Sequence, residues 1–203
     1  MKPYIVGLTG QSGAGKTTVS KTFENNGFNI INADLISRYV TTENKECLSK
    51  LKAVFFDYFE KGILNRRKLA SLVFSDRKEL EKLTSITYPY IIREINRRIS
   101  EFSDNSIILI DAPTLFESGL NACCDKIVSV VSREDLRLYR IIKRDNISEC
   151  EARKRFSSQK SECFFKKNSD FLIENNSSER DLINKAINTV QKIKEFYYGK
   201  KET

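Results

Sequence analysis

Residues 4–18 read Tyr4-Ile-Val-Gly-Leu-Thr-Gly-Gln-Ser-Gly-Ala-Gly-Lys-Thr-Thr18, and this stretch decides the fold. The apolar run Tyr4–Leu8 predicts a buried strand, and the residues from Thr17 onward predict a helix. Between them stands G-x-x-x-x-G-K-[ST], the pattern of a loop that wraps the phosphates of a nucleoside triphosphate. The alternative is a chance glycine-rich turn, and the order of strand, loop and helix argues against it.

The residue types of this loop each have a physical role. Glycines let the backbone curl so that its N–H groups point inward at phosphate oxygens, and the helix that follows adds the positive end of its dipole. Lys16 can reach the β- and γ-phosphates, and the hydroxyl of Thr17 can ligate Mg²⁺. The residues expected to bind the triphosphate are Gly10, Gln11, Ser12, Gly13, Ala14, Gly15, Lys16, Thr17 and Thr18.

Composition places the chain among water-soluble globular proteins. Its 203 residues suit one domain, and 40% hydrophobic with 31% charged residues is typical of that class. No apolar run approaches the length of a membrane span, and the first strand begins too early for a signal peptide, so we expect a cytoplasmic protein without a membrane partner. The five cysteines form no C-x-x-C pair, which argues against a disulfide framework or a zinc site.

The chain contains no histidine. This excludes Ser-His-Asp and Cys-His catalysis and histidine-ligated zinc, so a general base must be Asp, Glu or Lys. The net charge of +8 has two interpretations, a nucleic-acid surface or a pocket for polyanionic small molecules. Because Lys and Arg are spread along the chain without a basic arm, we expect small-molecule partners and no nucleic acid.

Short apolar strands alternate with helical segments along the rest of the chain. The strands are predicted at Phe28–Ile31, Ile107–Ile110, Ile127–Val131 and Asp170–Ile173. This order predicts an α/β fold, a parallel sheet with helices on both faces. We expect one domain, with a core at residues 1–40, 105–132 and 169–198, a helical lobe at about 44–100 and a helical lid at about 133–168.

Within the predicted helical lobe, proline is expected to break the chain into separate helices. One helix is predicted to run from Lys78 to about Thr84, and Pro89 interrupts before another at Ile91–Ile99. The lobe is too long for a single crossover between strands, and its aliphatic and aromatic positions are expected to form its core.

Acidic residues end two of the predicted strands, where an open parallel sheet holds its ligand. Asp34 follows the second strand, and the alternative for it is a plain helix N-cap. Asp111 ends the run Ile107–Ile110 in a loose Walker-B-like pattern, so it can hold Mg²⁺ directly or through water.

Arginines recur along one predicted helix of the lid. Arg137, Arg140 and Arg144 share a helix face, which is either a solvated surface or a source of cations for a moving phosphoryl group. The N-K-x-D tetrapeptide of guanine-binding GTPases is absent, and motors and helicases are usually longer. We therefore expect a small-molecule kinase with a P-loop kinase fold.

Several short motifs, taken in order, resemble the dephospho-coenzyme A kinase family over nearly the whole chain. Ala33-Asp34 follows the second strand, and Arg66 with Leu69 resembles the family's D-R-x-x-L helix. Pro113-Thr-Leu-Phe-Glu117 resembles its P-L-L-F-E signature. The later motifs resemble R-x-x-x-R-D and R-x-x-x-Q … D-x-x-I-x-N, on Arg140 to Asp145 and on Arg155, Gln159, Asp170 and Asn175.

This resemblance implies ATP-dependent phosphorylation of the ribose 3′-hydroxyl of dephospho-CoA, with Mg²⁺, to give CoA and ADP. It implies that Asp34 is the base and that Lys16 and Arg140 are the other catalytic residues. Arg144 and Asn175 would contact ATP, with Asn175 near its adenine. The acceptor would be held by the helical lobe, and the acceptor-binding residues would be Asp34, Arg66, Pro113, Leu115 and Phe116. A monomer or weak homo-oligomer is expected.

The chain departs from the family pattern at several positions. Asn32 replaces the first acid of D-x-D, Tyr88-Pro89 replaces His-Pro, and Gln11 and Thr114 replace a glycine and a leucine. None of these removes a group that the transfer requires. A kinase for another nucleoside or small metabolite, and a nucleic-acid-binding or nucleotide-sensing P-loop ATPase, stay open as alternatives.

Overall fold

The structure is a computed structural model that describes residues 2–199, apart from the side chain of Phe74. The strands are β1 (Tyr4–Gly10), β2 (Asn29–Asn32), β3 (Phe59–Glu60), β4 (Ile63–Leu64), β5 (Ile107–Asp111), β6 (Lys126–Val131) and β7 (Phe171–Glu174). The helices are α1 (Lys16–Asn25), α2 (Ala33–Thr42), α3 (Lys45–Val54), α4 (Arg66–Ser75), α5 (Arg77–Ile99), α6 (Glu134–Asp145), α7 (Glu149–Ser157), α8 (Glu162–Asn168) and α9 (Glu179–Gly199). Short 3-10 turns lie at Phe56–Tyr58 and Leu120–Cys123.

The main sheet has the strand order β2-β5-β1-β6-β7. Strand β1 lies in the middle and pairs in parallel with β5 on one side and β6 on the other, with Leu8 opposite Asp111 and Gly10 opposite Val130. Strand β6 in turn pairs in parallel with β7. The carboxyl end of β1 therefore emerges between two neighbouring strand ends, which is where a parallel sheet places its ligand.

One face of the sheet is covered by α1 and α9. Tyr4, Val6 and Leu8 of β1 pack there against Val19 and Phe23 of α1, and the α9 residues of this core are Leu182, Ala186, Val190, Ile193 and Tyr197. Because side chains alternate along a strand, Ser129 of β6 points to the opposite face, where its hydroxyl lies 2.6 Å from that of Ser169, just after α8. The predicted α/β fold, a parallel sheet with helices on both faces, is confirmed.

The chain divides into two compact units. The first comprises the residues up to Ile31 together with those from Phe102 onward, and the second is Asn32–Glu101. The sequence analysis ended the first core segment at residue 40 and began the helical lobe at about 44, roughly ten residues after the observed start of the second unit at Asn32. The difference arises because α2 packs with α5 and so belongs to the second unit. The helical character expected for residues 44–100 is found in α3, α4 and α5.

One local expectation in the second unit was wrong, and one element there was not predicted. Pro89 does not interrupt a helix, since α5 is continuous from Arg77 to Ile99 and contains it. The proline removes one backbone N–H, and burial of Tyr90, Ile91 and Ile95 keeps the helix intact around it. The antiparallel hairpin β3–β4 was not predicted, because strands of two residues leave no periodic pattern.

Candidate active site

The loop between β1 and α1 has the backbone of an anion-binding nest. Gly13 and Gly15 have φ angles of 78° and 100°, the left-handed region that favours glycine. The amide of Ala14 donates to the carbonyl of Gln11 at 3.0 Å. Within residues 2–199, the amides of Gly13, Gly15, Lys16 and Thr17 donate no hydrogen bond to the protein. Four unsatisfied donors at a helix N-terminus are suited to phosphate oxygens.

Lys16 and Asp111 form an ion pair beside this loop. Lys16 Nζ donates to Asp111 Oδ1 at the carboxyl end of β5, and the two side chains are 17% and 6% exposed. Register brings them together, since Leu8 of β1 lies opposite Asp111. The pair satisfies the charge of a buried carboxylate, and it places the lysine and the candidate Mg²⁺ ligand next to each other.

Arg140 of α6 binds the backbone of the loop. Its guanidinium donates to the carbonyl of Gly13 at 3.3 Å, the hydroxyl of Ser132 at 3.2 Å and the carbonyl of Asn175 at 3.3 Å. The sequence predicted a cation that contacts the phosphoryl group. In this structure the contacts of Arg140 are with the loop's own carbonyl and with residues at the ends of β6 and β7.

Asn175, just after β7, ties the loop to the sheet. Its side-chain amide donates to the carbonyl of Ala14 at 2.8 Å, and its backbone N–H donates to the carbonyl of Val131, at the end of β6, at 2.9 Å. A Cβ on Gly15 would lie 2.6 Å from Nδ2 of Asn175, so this close contact requires glycine there. The sequence predicted that Asn175 lies near the adenine of ATP, and its observed partners are residues of the loop.

Arg144, near the end of α6, is held by an acidic neighbour. It donates twice to the carboxylate of Asp145, at 2.7 and 3.0 Å, and Arg155 of α7 donates to the same group at 2.5 Å. The hydrogen bond from Arg144, supported by Arg155, lowers the pKa of Asp145 to about 2. Arg144 itself is 63% exposed, so of the three arginines on this face it is the most accessible to a ligand.

The third arginine of the predicted face, Arg137, points inward. Its guanidinium lies 4.3 Å from the ring centroid of Phe156 on α7, and Nε donates to the carbonyl of Ser132 at 3.0 Å. Burial lowers the pKa of this guanidinium. The contact attaches α7 to α6, a role that the arginine spacing alone could not distinguish from a solvated face.

Candidate acceptor residues of the first unit follow β5. The hydroxyl of Thr9 donates to the carbonyl of Pro113 at 3.1 Å. Leu115 is fully buried, and its side chain packs against the backbone of Gly7. Phe116 packs edge-on against Phe164 of α8, with ring centroids 5.1 Å apart. The segment is therefore anchored to β1 and to α8, and its direct role with an acceptor stays a prediction.

Asp34 and Arg66 belong to the second unit, each near the start of a helix. The N-cap of α2 is Asn32, whose Oδ1 accepts from the amide of Leu35 at 3.0 Å, so Asp34 is not the cap. Asp34 is exposed in the first turn of α2, where the helix dipole favours a carboxylate. Arg66 is exposed at the first position of α4, whose N-cap is Asn65. Asn32, which breaks the family's D-x-D pattern, thus has a structural role.

The sequence did not assign a role to Gln159, at the end of the α7 segment. The amide N–H of Ser12 donates to Gln159 Oε1 at 3.2 Å, and Gln159 Nε2 donates to the Ser12 hydroxyl. The two residues are 147 positions apart, so no local signal could have predicted this contact.

We expect Arg140→Ala to lower the free energy of unfolding by about 1–3 kcal/mol, the cost of leaving buried acceptors without a charged donor. The measurement is urea unfolding of the nucleotide-free protein. Lys143→Ala is the matched control, since Lys143 is an exposed cation on the same helix. Equal stability of the two variants would contradict the observed contacts of Arg140.

Among residues 2–199, no helix is both long enough and apolar enough to cross a bilayer. The same residues contain no cluster of three or more His, Cys, Asp or Glu side chains that could hold a metal ion unaided.

Comparison with known proteins identifies similar chains. The family model for dephospho-CoA kinase matches residues 4–181. The dephospho-CoA kinase of Fusobacterium nucleatum is 37% identical over 188 residues, covering 92% of this chain and 96% of that protein. The dephospho-CoA kinase of Lactobacillus johnsonii is 32% identical over 198 residues, covering 94% and 98%. Among solved structures, TT1252 from Thermus thermophilus has a TM-score of 0.84 at 29% identity, covering 94% of this chain and 97% of its own.

Proposed function

Since this chain belongs to the dephospho-CoA kinase family, we propose that it transfers the γ-phosphoryl group of ATP to the ribose 3′-hydroxyl of dephospho-CoA, giving CoA and ADP. The observation that carries this proposal is the loop between β1 and α1. Four of its amides donate to no protein group within residues 2–199, and together with Lys16 they suit the phosphates of a triphosphate.

On the nucleotide side, the loop amides take the phosphate oxygens and Lys16 supplies a positive charge. Lys16 is already paired with Asp111, so it exchanges a carboxylate partner for a phosphate when ATP binds. The exchange costs less than desolvating a free lysine, because the ammonium is partly buried before the ligand arrives. In the loose transition state of phosphoryl transfer, this charge stabilises the oxygens of the moving group.

The donors near the loop suit Mg²⁺, which accepts oxygen ligands from one or two protein side chains together with substrate phosphates. We propose the hydroxyl of Thr17 as a ligand and the carboxylate of Asp111 as a ligand acting through water. Thr17 is exposed in the first turn of α1, and Asp111 lies next to Lys16. Bound there with ATP, the ion would neutralise charge on the phosphates.

Arginines and Asn175 complete the proposed nucleotide site. Arg140 supports the loop through Gly13, and we propose that it also acts on the phosphates once ATP is bound. Arg144 is exposed, and we propose that it binds an ATP phosphate while it stays paired with Asp145. Asn175 holds Ala14, which supports a place for it at the nucleotide.

On the acceptor side, we propose that Asp34 orients the ribose 3′-hydroxyl and accepts its proton. A hydroxyl that attacks phosphorus becomes acidic late in the reaction, so a carboxylate of ordinary basicity is sufficient. Arg66, an exposed cation at the start of α4, would hold an anionic part of dephospho-CoA. Pro113, Leu115 and Phe116 would shape the acceptor side of the first unit. We further propose that the activity depends on magnesium and that the protein is cytoplasmic. It would be a monomer or weak homo-oligomer and would have no nucleic-acid partner.

The test is ADP release by the purified protein with Mg-ATP, measured with dephospho-CoA, adenosine, a nucleoside panel or no acceptor. We expect release to depend on dephospho-CoA and CoA to appear in equal amount. Release driven by another acceptor would keep the phosphate-loop site and replace the acceptor assignment. Hydrolysis stimulated by RNA, weakening steeply with salt, would instead support the nucleic-acid alternative.

A further inference from the structure

Gln159 makes a two-point contact with the phosphate loop. Its Oε1 accepts from the backbone amide of Ser12 at 3.2 Å, and its Nε2 donates to the Ser12 hydroxyl. One side chain therefore fixes both the backbone and the side chain of the same loop residue. Gln159 is half-buried, and its own backbone N–H donates to Phe156 at 3.0 Å.

The hydrogen bonds of the loop divide its amides into two groups. The amide of Ser12 is satisfied by Gln159, and that of Ala14 by the carbonyl of Gln11. In the described chain, the amides of Gly13, Gly15, Lys16 and Thr17 are left for phosphate oxygens. Gln159 thus satisfies the amide of Ser12, and the four amides that donate to no described protein group stay open for the ligand.

Gln159 is itself held between two anchored segments. On one side, Phe156 lies under the guanidinium of Arg137. On the other, Ser161 caps α8 by accepting from the amide of Phe164, whose ring packs edge-on against Phe116. A side chain presented between two fixed points loses little conformational entropy when it binds, so it can hold the loop without ligand present.

We propose that Gln159 is a positioning residue that holds the phosphate loop in its phosphate-binding shape before the nucleotide arrives. It acts through Ser12 and does not need to touch the phosphates. The inference rests on the proposed nucleotide-binding function of this loop. The alternative predicts the opposite change in nucleotide affinity. If phosphate had to accept from the amide of Ser12, Gln159 would compete with the ligand, and removing Gln159 would tighten nucleotide binding.

The test compares ADP and inorganic tripolyphosphate binding, by calorimetry, in the wild type and Gln159→Ala. We expect about tenfold weaker binding of both ligands to the variant, which corresponds to one or two lost hydrogen bonds. In the kinase assay, KM for ATP should rise while kcat at saturating ATP stays within about threefold, because bound phosphates then order the loop. Gln191→Ala is the control, since Gln191 is an exposed glutamine on α9.

Ser12→Ala is a second variant that tests the same contact by itself if Gln159→Ala folds poorly, and the two substitutions together form a double-mutant cycle. Ser12→Ala removes the hydroxyl contact and keeps the amide, so its effect on ADP affinity should largely disappear in the Gln159→Ala background. Unchanged or tighter ADP binding by Gln159→Ala would overturn the inference, as would a lowered melting temperature with normal ADP affinity. If the wild type itself failed to bind ADP, the proposed function would fall first, and this inference with it.

Discussion

Replacing Lys16 by alanine is expected to lower kcat by at least about 10²-fold, the effect of removing one preorganised charge donor from a transition state. The ammonium is the positive side chain of the phosphate loop and lies within contact of Asp111. Its removal takes away both a ground-state contact with the phosphates and the charge that stabilises the transfer. Turnover with dephospho-CoA at saturating ATP measures the effect. Intact turnover would show that the phosphate-loop assignment is wrong.

The same substitution should also destabilise the nucleotide-free protein. Asp111 is 5% exposed and would be left without its cation, at a cost of about 2–3 kcal/mol, somewhat below that of breaking a fully buried pair. Lys16→Ala combined with Asp111→Asn removes the unpaired charge, so the double variant should recover most of the stability in urea unfolding. Because Asp111 is also a proposed Mg²⁺ ligand, the double variant is used for stability alone. Turnover of Lys16→Ala is compared with the wild type under conditions where urea unfolding shows that both are folded, which separates the catalytic effect from a folding effect.

Replacing Asp34 by asparagine is expected to lower kcat by at least about 10²-fold, the lower end for a positioned base. Asparagine keeps the size and one oxygen of the carboxylate but cannot accept the proton of the ribose hydroxyl. ADP affinity should stay within about twofold, because the loop amides and Lys16 are unchanged. Turnover and ADP affinity are measured on the same preparation, so that a loss of catalysis is distinguished from a loss of nucleotide binding.

Asp57→Asn is the matched control for Asp34→Asn. Asp57 is an exposed aspartate of the same unit, located in the 3-10 turn Phe56–Tyr58. The loss of helix-dipole stabilisation at Asp34 costs about 0.3–1 kcal/mol, and the melting temperatures of both variants show whether they stay folded. Full activity of Asp34→Asn would remove this residue from the proposed mechanism.

The main sheet and the loop were predictable because their signals are local. A strand of apolar residues running into G-x-x-x-x-G-K-T leaves few alternatives, and the remaining strands of the main sheet lie within a residue or two of their predicted bounds. The helix break expected at Pro89 was wrong because a contact between distant residues decided the outcome there. The local rule that proline ends a helix was outweighed by packing of the buried residues that follow it in α5.

The candidate site was predictable in its residue types and less so in its contacts. Arginine spacing put Arg137, Arg140 and Arg144 on one face, yet only a three-dimensional neighbour decides which of them faces inward. Arg137 turns toward Phe156, Arg140 toward Gly13, and Arg144 toward Asp145. Phe156 and Gly13 lie outside α6, so the residue spacing within this helix could not reveal either contact. Asn32 shows a smaller ambiguity, since either it or Asp34 could have capped α2.

The central position of β1 has a consequence for local unfolding. A strand hydrogen-bonded on both sides opens only when the surrounding sheet opens, whereas β2 and β7 are edge strands with one neighbour each. The phosphate loop therefore follows a strand whose amide protons we expect to exchange more slowly than those of the edge strands. Fraying at the β2 edge leaves the contacts of the loop in place, whereas fraying at the β7 edge would release Asn175 from the carbonyl of Ala14. The two edges of the sheet therefore differ in what their opening does to the nucleotide site.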